Sequence, residues 1–303
     1  MNNSWFVIVN PNAGNGNFKK LWAQIQQELT HNKISFEFEF TTHHKHEIEL
    51  VHKAISNGFS KIISCGGDGT LHHIVNGVMR QTIINNDAVT IGVIPLGTGN
   101  DWIKTYHIPK NTSKAIQIIK NQNSVYQDIG YLKLENTSSY FNNVAGIGYD
   151  GYVVNKLNKL KRFGPIAYLL SGLSGLLFYK RTPFRLVVNN STVTDTCLMT
   201  LFGICKYSGG GMQLTKYKKS NDGLLDITFA KNLNILDLVY NLNKLYNGKI
   251  TSHNKVTTYV TDKITVTPTK HTDLPFIQAD GELIGTGAVE VSIIPNAIQF
   301  IIP

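Results

Sequence analysis

Residues 5–9 (WFVIV) form an unbroken apolar run, the pattern of a strand buried on both faces, and residues 35–41 (SFEFEFT) alternate with period two, as a half-exposed strand does. Between them Phe18, Leu21, Trp22, Ile25 and Leu29 recur at helical spacing, so 18–30 predicts a helix laying one apolar stripe on the sheet. Ile48, Val51 and Ile55 mark a second helix ending near Gly58, and residues 61–64 a third strand. Leu71, Ile74, Val75 and Val78 mark a third helix, followed by a strand at 90–94. This alternation is that of βα units around a mainly parallel sheet. From about Tyr126 the texture changes to β-rich segments bounded by Gly, Asn and Lys, among them YQDIGYLKLE, FRLVVNN, CLMTLFGIC, LLDITFA and KITVTPT. A second, mostly antiparallel domain is predicted, with its boundary at 121–124 (NQNS) and helical stretches over 153–179 and 235–246.

Composition sharpens this picture. Of 303 residues 42% are hydrophobic and only 16% charged, which excludes disorder, collagen and coiled coil. Lys and Arg number 29 against 20 acidic residues, and 29 − 20 gives +9. That charge favours anionic partners: phosphorylated cofactors, acidic membrane surfaces or nucleic acid. Cys65, Cys197 and Cys205 lack CxxC spacing and are odd in number, so neither a zinc site nor a disulfide framework is expected and a reducing cytosol fits. No basic stretch followed by a long apolar run opens the chain, so no secretory leader is expected. The longest mostly apolar stretch, 164–179, has 16 residues and falls short of the roughly 20 that span a bilayer.

Three glycine-rich loops sit where a strand meets a helix: 10–16 (NPNAGNG), 66–70 (GGDGT) and 95–101 (PLGTGND). In an open α/β sheet such junctions gather at the carboxyl ends of the strands, where ligands bind. Glycine lets the backbone approach a phosphate, and the following helix N-terminus offers N–H groups with partial positive charge. Any one of them is as readily a turn; three in one domain point to a nucleotide. None is a Walker A or GxGxxG motif. Asp68, flanked by glycines at a helix head, sits beside phosphate only if a cation intervenes, which points to Mg²⁺. As a helix cap it would account for one carboxylate but not for the surrounding Gly and Thr.

GGDGTLHHIVNGV, with NPNAGNG before it and GVIPLGTGNDWIKTYHIP after it, resembles the catalytic domain shared by diacylglycerol kinases, sphingosine kinases and bacterial lipid kinases. The resemblance continues through YFNNVAGIGYDGYVV, GGGMQLTKYKKSNDGLLDITF and IQADGE, over nearly the whole length. GGDGT alone is also similar to NAD kinases and phosphofructokinases; the combination with GTGND, GGGM, DGLLD and DGE points to lipid kinases. The resemblance implies an α/β ATP-binding domain of residues 1–123 with 296–303, the last strand returning to it. It further implies a β-rich, sandwich-like substrate domain of residues 124–295, with the active site in the cleft between the two. By the same resemblance ATP would be contacted by Asn10, Pro11, Asn12, Ala13 and Gly14, by Thr41, by Gly66, Gly67, Asp68, Gly69, Thr70, Leu71, His72 and His73, and by Thr98 and Asn100. Asp280 and Glu282 would supply the general base, Asp280 first, with Asp68 ordering the metal shell. Asp101 and Asp128 match acidic positions near that Mg²⁺; a helix cap and a strand-end turn explain them equally well. Lys219, Asp222 and Leu224 (in KSNDGLLD) match a structural Mg²⁺ loop, although from the residues alone NDG is a turn signal.

The activity so implied is an ATP- and Mg²⁺-dependent kinase of a lipid hydroxyl, diacylglycerol being the leading acceptor. It would be cytoplasmic, peripheral to the inner face of the membrane, acting on lipid at an anionic surface, with no nucleic-acid partner and a homodimer left open. A kinase of a soluble substrate such as NAD, or an inactive nucleotide-binding regulator at the membrane, are the alternatives. One departure stands out: the family often carries Lys or Arg in the first glycine loop, whereas Asn15 and Asn17 stand here and the first cations are Lys19 and Lys20. Residues 155–181 flank their apolar stretch with Lys156, Lys159, Lys161, Arg162, Lys180 and Arg181, a pattern fitting either a core helix with solvated ends or a basic rim facing lipid. His43, His44 and His46 carry no accompanying Cys or carboxylate signature and read as loop residues.

Overall fold

In the computed structural model the apolar run near the N-terminus lies within strand β1 (Asn2–Val9). The structure describes residues 2–14, 18–97, 99–157, 172, 175–269 and 273–303. They divide into two units, Met1–Ile129 with Pro295–Pro303, and Gly130–Ile294.

In the first unit β1 is followed by α1 (Phe18–His31), β2 (Phe36–Phe40), α2 (His46–Ser56), β3 (Phe59–Gly66), α3 (Asp68–Arg80), β4 (Thr90–Pro95), α4 (Asp101–Thr105), α5 (Thr112–Asn121) and the start of β5 (Ser124–Lys133). The sheet runs β2-β1-β3-β4, every pair parallel. The end of the last strand extends it, Gln299 and Phe300 pairing in parallel with Thr90 and Ile91. Side chains alternate across such a sheet. Val7, Val9, Ile63, Cys65 and Ile94 pack with Trp22, Ile25 and Leu29 of α1 and with Ile116 and Ile119 of α5. Helices α2 and α3 pack on each other and on β3. Their Leu50, Val51, Ala54, Ile74, Val75 and Val78 are all buried.

The second unit contains β6 (Ser138–Phe141), β7 (Val144–Gly148), α6 (Tyr149–Leu157), β8 (Thr182–Val188), β9 (Ser191–Cys197), β10 (Met199–Gly203) and β11 (Leu225–Ala230). Two short helices, Ile235–Tyr240 and Leu242–Tyr246, precede β12 (Val256–Thr261), β13 (Lys263–Pro268), β14 (Phe276–Ala279), β15 (Glu282–Thr286) and β16 (Val289–Ile301). One sheet runs β12-β11-β10-β7-β14-β15, antiparallel throughout. A second antiparallel ladder runs β9-β8-β13, with Val289 to Ser292 of β16 beside β13.

The division falls at Ile129 rather than at residue 123, because β5 begins inside the first unit. There the Ile302 N–H donates to the Asn123 oxygen at 2.9 Å and the Asn296 N–H to Asp128 Oδ1 at 2.7 Å. The helix expected over 235–246 is two helices. At the junction the Asn241 amide donates to the Asp237 carbonyl at 2.6 Å, a side chain competing for a helical acceptor. Strand β9 (STVTDTC), mostly polar, carried no apolar run to announce it. The helix expected over 153–179 is seen as α6 and again at 175–178, and residues 158–171 and 173–174 lie outside the described residues. No helix among the described residues is long and apolar enough to cross a membrane. All three cysteines are buried and none forms a disulfide.

Candidate active site

In the first unit, strand connections from β1 lead to one side of the sheet and those from β3 to the other. The crevice that such a reversal opens lies at the carboxyl ends of β1 and β3. Residues 10–14 and 66–70 leave the sheet there. Asn10 shapes the first loop. Its Oδ1 accepts the Asn12 N–H at 2.9 Å, its carbonyl accepts the Ala13 N–H at 3.1 Å, and its Nδ2 donates to Thr70 Oγ1 at 3.0 Å. The first glycine loop is therefore tied to the first turn of α3.

The second and third loops touch through backbone. The Leu96 N–H donates to the Gly66 oxygen at 2.8 Å. A Cβ on Gly97 would lie 2.7 Å from the Gly67 Cα, and one on Gly66 would lie 2.4 Å from Thr70 Oγ1, so neither position admits a side chain without displacement. Helix α3 starts at Gly67 without a side-chain cap, which leaves its N-terminal positive end to an outside anion.

Asp68 reaches across this junction. Its Oδ2 accepts the Asp101 N–H at 3.0 Å and its Oδ1 the Trp102 N–H at 3.3 Å, so its carboxylate caps α4, not its own helix. Asn100, in the left-handed region at φ 49°, donates from Nδ2 to the Gly97 oxygen at 2.6 Å. Asp101 is buried and pairs with Lys104 Nζ at 2.6 Å. Asp128 is buried on β5 and holds the Asn296 turn. Thr41 is buried, its N–H donating to the Val9 oxygen at 2.9 Å. Leu71 points into the core, so its approach to a ligand is through backbone. His72 and His73 are buried too, and the Asn76 amide donates to the His72 carbonyl at 2.9 Å. Burial, then the neighbouring His72, His44 and Lys45, push His73 down to about 3, so its imidazole is neutral at ordinary pH. His43 stacks on His46, the first residue of α2, at 4.4 Å and meets Glu49 at 3.1 Å. Thr98, Asn15, Gly16 and Asn17 lie outside the described residues.

In the second unit Asp280 sits at φ 50° in the turn between β14 and β15. Its Oδ1 accepts the N–H groups of Asn143 (2.9 Å) and Val144 (3.2 Å), and its Oδ2 that of Asn142 (3.1 Å). Two of these three donors belong to residues that precede β7, so Asp280 fastens the turn to the start of that strand. Glu282 opens β15 half-buried, and no hydrogen bond holds its carboxylate among the described residues. Gln278, buried on β14, accepts the Gly281 N–H at 2.8 Å and donates to Asp150, whose carboxyl burial pushes up to about 6 against that bond. In the loop before β11 the Leu224 N–H donates to Asp222 Oδ1 at 3.2 Å, and Gly223 takes φ 75°. Burial and the charge of Asp222 raise Asp226 to about 6. Lys219 and Asp222 are exposed.

Sequence reasoning missed Asp150, Gln278, Asp226, Lys104 and the buried pair Trp102 and Gln127. A signal existed for one of them: Gln127 and Asp128 are adjacent polar residues inside an otherwise apolar strand, where period two would bury at least one.

Residues 4–132 match the model of the diacylglycerol kinase catalytic domain, and residues 143–302 that of the YegS C-terminal NAD kinase beta sandwich-like domain. The chain belongs to the diacylglycerol kinase catalytic-domain family. Among relatives of this kinase family, a diacylglycerol kinase of Mycobacterium tuberculosis is 28% identical over 98% of this chain and 94% of its own length. A diacylglycerol kinase of Staphylococcus carnosus is 28% identical over 82% of this chain and 80% of its own. The crystal structure of a diacylglycerol kinase from Bacillus anthracis superposes with a TM-score of 0.77 over 99% of this chain and 97% of that one, at 20% identity, which shows the shared fold.

Proposed function

We propose that this kinase transfers the γ-phosphoryl group of ATP to the hydroxyl of a lipid, with diacylglycerol as the acceptor, at an anionic membrane surface on the cytoplasmic side. The observation that carries the reading is the glycine cradle of the first unit. Loops after β1, β3 and β4 converge, with backbone in place of side chains at Gly67 and Gly97 and the uncapped end of α3 beside them. Such a cradle accepts a polyphosphate, since oriented N–H groups and a helix N-terminus compensate its charge without a mobile cation. That also answers the missing basic residue of the first loop: Lys19 and Lys20, exposed in the first turn of α1, are the nearest substitutes in sequence.

The residues fit a divalent ion. Asp68 and Asp101 meet at one loop junction and would offer carboxylate oxygens there, whereas Asp128 is engaged with the Asn296 N–H; in the loop before β11 burial, and after it the charge of Asp222, raises Asp226, and a cation would relieve that second part. Asp68 would order the metal shell at the phosphates, and Asp222 with the carbonyls of Lys219 and Leu224 would hold the structural ion. When bound, Mg²⁺ supplies neutralisation of the phosphate charge. Transfer is otherwise positioning. The lipid oxygen attacks the γ-phosphorus in line, ADP departs, and the hydroxyl proton passes to the base of the Asp280–Glu282 turn. Of the pair we assign the base to Glu282, reversing the order in which the sequence ranks them. Three backbone N–H groups occupy the Asp280 oxygens, whereas the Glu282 lone pairs are not so held.

The test is γ-labelled ATP with Mg²⁺ and vesicles containing diacylglycerol, then with a total lipid extract. Labelled phosphatidic acid is expected. A second reading, a kinase of a soluble substrate such as NAD, draws support from the β-sandwich type of the second unit. Label in NAD without vesicles, and none in any lipid, would establish it instead.

A further inference from the structure

Helix α4 has five residues, and the side chain of its N-cap, Asn100, accepts no cap bond. So short a helix does not hold its own position; it is fixed by what it packs against. Trp102 does this from within the helix and Tyr106 from its C-cap. Trp102 is 1% exposed, with its ring 4.8 Å from Phe300 and 4.7 Å from Tyr106. Its indole Nε1–H donates to Gln127 Oε1 at 2.9 Å, and the Tyr106 hydroxyl donates to the same oxygen at 2.7 Å. Gln127 itself is fully buried on β5. One amide oxygen on the sheet thus receives two donors from the α4 segment. At the other end of that segment the N–H groups of Asp101 and Trp102 grip the Asp68 carboxylate.

We infer that Gln127 is a positioning residue for Asp68, acting through the Trp102 indole and the backbone of α4. The inference rests on the role given to Asp68 in the proposed function. A carboxylate that orders a metal shell must be held within a fraction of an ångström, and groups behind such ligands typically matter by about 10- to 100-fold. Both Asp68 oxygens accept N–H groups of α4, so the carboxylate follows where α4 presents them. Gln127 decides where that is. An apolar residue at 127 would strand the buried Trp102 donor and remove the Tyr106 acceptor, so α4 would shift to reach another acceptor and carry the Asp68 partners with it.

The experiment uses full-length protein with four changes: Gln127→Leu, Gln127→Glu, Trp102→Phe and the double change Gln127→Leu with Trp102→Phe. Trp102→Phe keeps an aromatic ring and removes the donor together with part of the indole volume. Gln127→Glu keeps an oxygen where Oε1 sits. Expected are a fall in kcat of about 10- to 100-fold for Gln127→Leu and Trp102→Phe, unchanged KM for diacylglycerol vesicles, recovery in Gln127→Glu, and a double variant no worse than the poorer single one. Additive losses, loss in Gln127→Glu equal to that in Gln127→Leu, or kcat within about threefold of wild type in the folded single variants would overturn the inference. Amide ¹H shifts of Asp101 and Trp102 in ¹⁵N-labelled protein supply a readout without turnover. In Gln127→Leu and Trp102→Phe they should move toward those of Asp68→Asn, and unmoved shifts refute the relay. Should the wild type phosphorylate no lipid while these shifts move, the relay stands and the functional reading fails. If Gln127→Leu does not fold, Trp102→Phe and Gln127→Glu decide.

Discussion

Replacing Asp280 by Asn separates anchoring from catalysis. Position 280 lies at φ 50°, a conformation Asn tolerates as well as Asp, so the backbone is unstrained by the change. The Asn oxygen can keep the Asn143 and Val144 donors, but its amide nitrogen then faces the Asn142 N–H, donor against donor. Hydrogen bonds to a charged acceptor contribute about 1.5–3 kcal/mol net and neutral ones about 0.5–1.5, so two bonds weaken by about 1 kcal/mol each. The third is lost and strands a donor on a residue 2% exposed, for about 1–3 kcal/mol more. The total is about 3–5 kcal/mol. With a urea m-value of about 2–3 kcal/mol/M, the midpoint of the second unit should fall by about 1–2 M. Glu282→Gln should leave the midpoint within about 0.5 kcal/mol of wild type while kcat drops by at least about 100-fold. Urea titration followed by intrinsic fluorescence, beside turnover under conditions where each variant is folded, gives both numbers. A wild-type midpoint for Asp280→Asn refutes the three-amide anchor. Full stability with abolished turnover in that variant, and activity retained in Glu282→Gln, returns the base to Asp280.

Four further outcomes are expected. Gly97→Ala puts a Cβ 2.7 Å from the Gly67 Cα, so the cradle must open at a cost of about 1–3 kcal/mol, and calorimetry should show weaker ATP binding than wild type. Asp150 has its folded carboxyl raised to about 6, so the native state binds the extra proton between about pH 4 and 6 and stability falls as pH rises through that window; Asp150→Asn should flatten this dependence and add on the order of 1–3 kcal/mol at pH 8, read from denaturation midpoints against pH. Millimolar Mg²⁺ should raise the melting temperature of the wild type and not of Asp222→Ala, with a gain of about 2.7 kcal/mol at one hundred times the dissociation constant. Ile25→Ala removes a fully buried side chain between α1 and the sheet and should cost about 2–5 kcal/mol in a thermal melt.

The parts of the fold that were legible are those whose own residues carry the signal. Helix α1 buries Trp22, Ile25 and Leu29, three of the five positions that mark its stripe, because a helix on a sheet has one dry face and the spacing records it. Strand β2 forms where the alternation predicts it, but at the sheet edge Phe38 and Phe40 stay exposed, so its exposure does not follow the period. Strand β9 alternates around polar side chains, so nothing apolar recorded its face. The unit boundary was misplaced for a related reason. Whether β5 starts in one unit or the other depends on Asn296 and Ile302, which pair with it from more than 160 residues away.

The same distance limits what spacing says about the site. Glycines at 66, 67 and 97 read as room for a phosphate, and the steric contacts give them a prior reason to exist: the loops after β3 and β4 touch through backbone and through Thr70. Glycine content therefore locates the crevice without identifying its occupant. The carboxylates divide in a comparable way. Asp68 and Asp280 are the most conspicuous acids in their motifs, and both spend acceptors on backbone N–H groups, 33 and more than 130 residues away in sequence. A carboxylate so engaged is held in place, with fewer lone pairs open to a proton. That suits a group that must stay charged and still beside a metal, and it is unsuited to one that must take a proton. On this ground the proposed function keeps Asp68 at the metal and gives the base in the turn after β14 to Glu282.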